Sequence, residues 1–207
     1  MRPQAEQRVW DPLVRVSHWV MAAAFGIAWA TAEGEAGIVQ TLHVGAGYTI
    51  LALVAVRLVW GVIGTRHARF ASFVRGPRTV LAYLGRMARL NAPATVGHNP
   101  AAGAMVVALL VGLGLTGVTG LMLYGAHEQA GPLAQAMAPF AGLDDALEEA
   151  HEFFAGFTAA LVGLHVAGVL FSSLLHRENL IRAMVTGRKP LRARGAEAEA
   201  PAAARAA

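Results

Sequence analysis

Four histidines, His18, His43, His151 and His165, lie in or at the edge of long apolar stretches. An imidazole in such surroundings is costly unless both ring nitrogens are engaged, which makes these residues candidates for ligand chemistry. His151 and His165 are fourteen residues apart, and on one α-helix that spacing places them about 21 Å apart along the axis and roughly 40° from a common face. His18 and His43 each fall near the start of a different apolar segment. Helices that alternate in direction bring His43 level with His151 and His18 level with His165. Two imidazoles at each of two heights is the wiring of two stacked haems, each iron held by a histidine pair. Such an iron has no open position, which suits electron transfer and disfavours oxygen chemistry. The chain has no cysteine and hence no C-x-x-C-H attachment motif, so the haems are expected to be non-covalent and b-type, and iron–sulfur clusters are excluded.

The elements that must position these residues are legible in composition. Of 207 residues, 56% are hydrophobic and 14% charged, against about 25% charged in a soluble domain. The apolar residues gather in four segments, at about Val14–Thr31, Ile38–Ile63, Ala101–Tyr124 and Phe153–Leu175, each close to the roughly twenty residues that cross a bilayer. The fold expected is an all-α integral membrane protein, four transmembrane helices in a bundle holding two b-type haems. No cleavable signal pattern is evident, so the first segment is read as a retained span.

The net charge of +4 could suggest nucleic acid, but its placement argues for topology. With four spans, Arg2, Arg8 and Arg15, the arginines from Arg57 to Arg89, and those from Arg177 onward share one side. Glu33, Glu35, Glu128, Asp144, Asp145, Glu148, Glu149 and Glu152 share the other. The positive-inside rule then puts both termini in the cytoplasm. Residues 1–190 are expected to form the membrane cytochrome domain, and the alanine-rich residues 191–207 a disordered cytoplasmic tail.

Arg57 follows His43 by fourteen residues and needs an anion at that depth, a haem propionate or a lipid phosphate. After it, Pro77 opens an amphipathic, arginine-rich run suited to lie on anionic lipid. The third segment carries no internal histidine but has Gly112, Gly114, Gly117 and Gly120, which serve either tight helix packing or room for a cofactor. The stretch Gly125–Ala150 reads as a long outer loop with an acidic end. His98 and His176, both on the inner side, are candidate proton carriers beside a quinone.

Three blocks carry a family resemblance. They are Arg15-Val16-Ser17-His18-Trp19; His43-Val44-Gly45-Ala46-Gly47 continued by Arg57-Leu58-Val59-Trp60-Gly61; and His151 with His165 continued by His176-Arg177-Glu178-Asn179-Leu180 and Thr186-Gly187-Arg188. Together they cover nearly all of residues 8–190, and the chain resembles the bacterial cytochrome b561 family, in particular the cytochrome b subunits of nickel–iron hydrogenases. The resemblance implies a four-helix cytochrome of the bacterial inner membrane with two b haems, passing electrons between quinone or quinol and a periplasmic redox partner.

The acidic outer loop points to a basic c-type cytochrome as that partner, with the iron–sulfur subunit of a hydrogenase as the alternative. Quinone oxidoreductase activity and a homodimer are both kept open. A transporter would need paired membrane carboxylates or broken helices, and neither is convincing here. A haem-free membrane anchor leaves four patterned histidines without a purpose.

Overall fold

The computed structural model describes residues 6–34 and 37–190. Its elements in order are β1 (Glu6–Arg8), α1 (Pro12–Ala30), α2 (Gly37–Ile63), α3 (Phe70–Phe73), α4 (Pro77–Ala88), α5 (Pro100–His127), α6 (Ala134–Met137), a 3₁₀ turn (Ala138–Leu143), α7 (Asp144–His176), α8 (Leu180–Thr186) and β2 (Arg188–Pro190). Four of them, α1, α2, α5 and α7, are long and apolar enough to cross a membrane. The chain is thus an all-α membrane protein, with a short two-stranded ribbon among the described residues. Arg2, Glu35 and the tail at 191–207 lie outside the described residues.

Local chemistry sets the helix ends. Asp11 Oδ1 accepts the Val14 N–H at 3.0 Å before α1, and Asn99 Oδ1 accepts the Ala102 N–H at 2.8 Å before α5. Both helices start on a proline, whose missing N–H is no loss in the first turn. Asn179 Oδ1 caps α8 through the Arg182 N–H at 2.7 Å, and Gly187 closes it with φ +78°, a left-handed conformation that glycine adopts without strain.

The fourth span differs from its expected bounds. Instead of beginning near Phe153, α7 begins at Asp144 and runs for 33 residues, so His151 sits inside the helix. Asp144 and Asp145 in its first turn complement the positive end of the helix dipole, which extends the helix through an acidic stretch that apolar periodicity does not reveal. The expected loop Gly125–Ala150 is correspondingly shorter, since α5 continues to His127 and α6 with the 3₁₀ turn fill much of the remainder.

The chain divides into two compact units. The first contains the described residues up to Arg15, Gly61–Ala104 and those from Val166 onward. Within it, β1 and β2 pair antiparallel, with Gln7 opposite Lys189. The Val9 N–H continues the contact to Gly187 O at 2.8 Å, and the Arg15 guanidinium donates to Val185 O. Thr65 Oγ1 donates to Asp11 Oδ2 at 2.6 Å, and the buried Tyr83 donates its hydroxyl to Pro93 O at 3.2 Å. A Cβ at Gly187 would lie 2.6 Å from the Trp10 carbonyl oxygen. Gly187→Ala combines that clash with an unfavourable φ, and is expected to lower stability by about 1–3 kcal/mol, measured as a lower Tm in detergent.

The second unit contains Val16–Trp60 and Met105–His165. Ala24 of α1, Ala46, Ile50 and Val54 of α2, and Leu113 of α5 form its buried apolar cluster, flanked by Met21, Phe25, Ala28 and Leu110. Two glycines of α5 serve close packing here. A Cβ at Gly117 would meet Leu51 of α2 at 2.5 Å, and one at Gly112 would meet Thr158 Oγ1 of α7 at 2.8 Å. Thr158 is fully buried and its hydroxyl is 3.1 Å from that of Thr116, so the α5–α7 contact is made of small and hydroxyl side chains, as in many helix pairs within lipid.

Candidate functional site: two facing histidine pairs

Three of the four spans deliver a histidine to the second unit, and α7 delivers two. His43 on α2 faces His151 on α7 with ring centres 6.1 Å apart. His18 on α1 faces His165 on α7 with ring centres 6.3 Å apart. All four rings are half-buried. On α7 the two sites are fourteen residues apart, about 21 Å along the helix.

These separations exceed ring stacking and match a shared metal. An imidazole nitrogen binds a first-row metal at about 2.0–2.1 Å and lies about 1.1 Å from its own ring centre, so two rings on opposite sides of one ion have centres about 6.3 Å apart. Among the described residues no group of three or more His, Cys, Asp or Glu could hold a metal ion. An ion between either pair would need further ligands beyond these two imidazoles, which a porphyrin could supply.

The backbone around the first pair favours that use. His43 Nδ1 lies 2.9 Å from Ala28 O, and His151 Nδ1 lies 3.0 Å from Thr116 O. In each ring Nδ1–H donates to a carbonyl, which leaves Nε2 as the lone-pair nitrogen. Thr119 Oγ1 stands a little farther from His151 Nδ1, at 3.4 Å. A Cβ at Gly120 would come within 2.9 Å of His151 Cε1, whereas one at Gly47 would meet nothing within 4 Å. Gly47 is one helical turn beyond His43 and on its face, so the space beside that ring stays open.

The second pair has no such bonds. His18 Nδ1 is buried without a hydrogen-bond partner, and neither ring nitrogen of His165 has one among the described residues. An orphaned buried nitrogen facing another imidazole fits a metal-ligating role.

Arg57 is 9% exposed inside α2, in the same unit as the four histidines. His98 and His176 belong to the first unit. The His98 ring lies between Trp10 and Phe73, each with its centre 4.5 Å away, and His176 ends α7. His127 pairs with Asp144 at 3.6 Å at an exposed position. The carbonyls of Ala28 and Thr116 leave no mark in the amino-acid pattern, because a main-chain oxygen is the same at every residue.

A four-span membrane protein with two facing pairs of histidines has the build of a membrane cytochrome b. The chain belongs to the prokaryotic cytochrome b561 family, whose model matches residues 9–187, and is a membrane-embedded, cytochrome-b-like electron carrier. It is 26% identical to a probable Ni/Fe-hydrogenase B-type cytochrome subunit of Azotobacter vinelandii, with 90% of each chain covered. It is 25% identical to a protein of the same description from Azotobacter chroococcum mcd 1, again with 90% of each covered. No solved structure matches the chain.

Proposed function

We propose that the protein is a dihaem b-type cytochrome subunit that carries electrons across the bacterial inner membrane between a hydrogenase iron–sulfur partner and the quinone pool. The observation that carries this reading is the pair of ring separations, 6.1 and 6.3 Å, each close to the span that two imidazoles sharing one metal would have. His43 and His151 would hold one haem, and His18 and His165 the other. When bound, each haem supplies a reversible one-electron carrier. The chain's own residues would do the positioning: the four imidazoles would hold the two groups, and the Ala28 and Thr116 carbonyls fix the ring orientation of one pair. Arg57 is the residue assigned to a propionate.

The arginine-rich connector and C-terminal segment support a cytoplasmic location of both termini, which puts His43 and His151 nearer the periplasm. The names of the two Azotobacter relatives support hydrogenase as the partner over the c-type cytochrome that the acidic residues suggest. The second reading retains one observation in its favour, the exposed Asp145, Glu148 and Glu149 near the start of α7, which would attract a basic protein.

The test is a reduced-minus-oxidised spectrum with haem quantitation on protein purified from membranes, followed by mixing with hydrogenase plus hydrogen, with reduced c-type cytochrome, and with quinol. Two haems per chain and reduction by the hydrogenase are expected. Haem-free protein would overturn the cofactor reading, and reduction by the c-type cytochrome alone would transfer the partner to the second reading.

A further inference from the structure

The connector between α2 and α5 folds into a cleft of about 500 Å³, lined by Arg66, His67, Ser72, Arg75, Thr95 and His98 with the buried Phe73 among them. All of these residues belong to the first unit. No Asp or Glu is among the described residues that line it, and the sequence holds none from Ala36 to His127. Over the same connector it places Arg66, Arg69, Arg75, Arg78, Arg86 and Arg89. A concave site with cations and no acidic lining favours an anion.

Both walls of the cleft are braced. The Arg75 guanidinium donates to Ser72 O at 2.8 Å and to Val74 O at 3.0 Å, which holds its planar fork at the end of α3. Opposite, Thr95 O accepts from Lys189 Nζ at 3.3 Å, and Glu178 already matches that ammonium at 3.5 Å. A Cβ at Gly97 would lie 3.0 Å from His67 Nδ1, so the missing side chain lets the His67 ring come close to this wall. A guanidinium fixed in advance loses little freedom on taking the oxygens of a phosphate.

The surroundings favour a lipid as the source of that phosphate. Arg66 lies just beyond α2, which ends at Ile63, and His98 just before α5, which begins at Pro100. The cleft thus stands at the ends of two membrane-spanning helices, the level of lipid headgroups. Its chain neighbours Val62 and Ile63 are each 70% exposed, and Val74 is exposed too, which suits acyl chains better than water. We infer that this cleft binds the headgroup phosphate of an anionic phospholipid, with Arg66 and Arg75 on its oxygens and Val62, Ile63 and Val74 against its chains. The inference is independent of the haem and partner readings.

Native mass spectrometry of the purified full chain, from micelles doped with phosphatidylglycerol or phosphatidylcholine, tests this. Retention of phosphatidylglycerol should exceed that of phosphatidylcholine by more than about tenfold, since each arginine beside an anionic lipid contributes about fivefold. Arg66→Gln should lower the preference by about fivefold. Ala94→Glu, at an exposed position lining the cleft, should abolish it. Ala82→Glu, exposed on α4 and outside the lining, should leave it. Both glutamates change the net charge equally, so equal losses would mean diffuse attraction to the arginines and would overturn the inference. Equal retention of the two lipids would also overturn it, as would displacement of phosphatidylglycerol by millimolar inorganic phosphate, the mark of a free-phosphate site. The wild-type comparison of both lipids and phosphate decides the matter even if a variant fails to assemble.

Discussion

His151→Ala is expected to reduce the haem content of the purified protein to about half while leaving the second haem intact. His151 faces His43, at 6.1 Å, and His165 of the second pair lies fourteen residues farther along α7, so loss of this imidazole leaves the second pair in place. His43→Ala should give the same spectrum. His18→Ala and His165→Ala should each give the complementary one, since those rings face each other at 6.3 Å. His127→Ala is the control that should keep both haems, because that side chain is 63% exposed and pairs with Asp144, away from both histidine pairs. Haem per chain and the reduced α-band maximum provide the measurement. If His151→Ala and His18→Ala lost the same haem, the pairing would be wrong.

The second large effect lies away from the histidines. Lys189 on β2 is 8% exposed. Its Nζ is 3.5 Å from Glu178 Oε2 and donates to Thr95 O at 3.3 Å. The Glu178 side chain is itself only 9% exposed, so Lys189→Met leaves a carboxylate buried without its cation. That defect should cost about 3 kcal/mol and appear as a lower Tm in detergent. Adding Glu178→Gln should restore much of the loss, because the stranded charge is then gone.

Burial pushes the Lys189 ammonium below the ordinary lysine range, while Glu178 pulls it partly back. The unfolded chain therefore holds that proton more tightly than the folded one. This group's contribution is unfavourable below its folded-state value, and stability rises as pH increases through that value towards the ordinary lysine range. Comparing the alkaline stability profiles of wild type and Lys189→Met should isolate this rise. A rise that persists in the variant would mean that Lys189 is not its source.

The membrane-spanning helices were plainly legible, because an apolar run near twenty residues has few other places to go. Asp11 with Pro12, and Asn99 with Pro100, stand where α1 and α5 begin, as capping side chains and N-terminal prolines do. The start of α7 was not legible from hydropathy, since Asp144 and Asp145 are favoured by a helix end rather than by lipid. The pairing of β1 with β2 was equally hidden. Glu6-Gln7-Arg8 and Arg188-Lys189-Pro190 are short and polar, and neither has any strand pattern by itself.

The glycines of α5 left packing and cofactor space both open in the sequence. Leu51 and Thr158 opposite Gly117 and Gly112 show that two of them serve packing. The chemical types at the candidate site were visible because a histidine in an apolar stretch demands a reason. The second layer around it was invisible, because Ala28 and Thr116 contribute main-chain oxygens that any residue would carry.

The sequence by itself determined a membrane protein with four spans, the sorting of its charges, and which side chains are chemically able to hold a metal. These follow from transfer energies and residue type, which each short stretch carries with it. Only the tertiary structure decided that ring centres would stand 6.1 and 6.3 Å apart, that one pair would donate to carbonyls while the other would not, and that Lys189 would be buried against Glu178. Those features join residues remote in the chain, and they exist only once helix packing has brought the segments together.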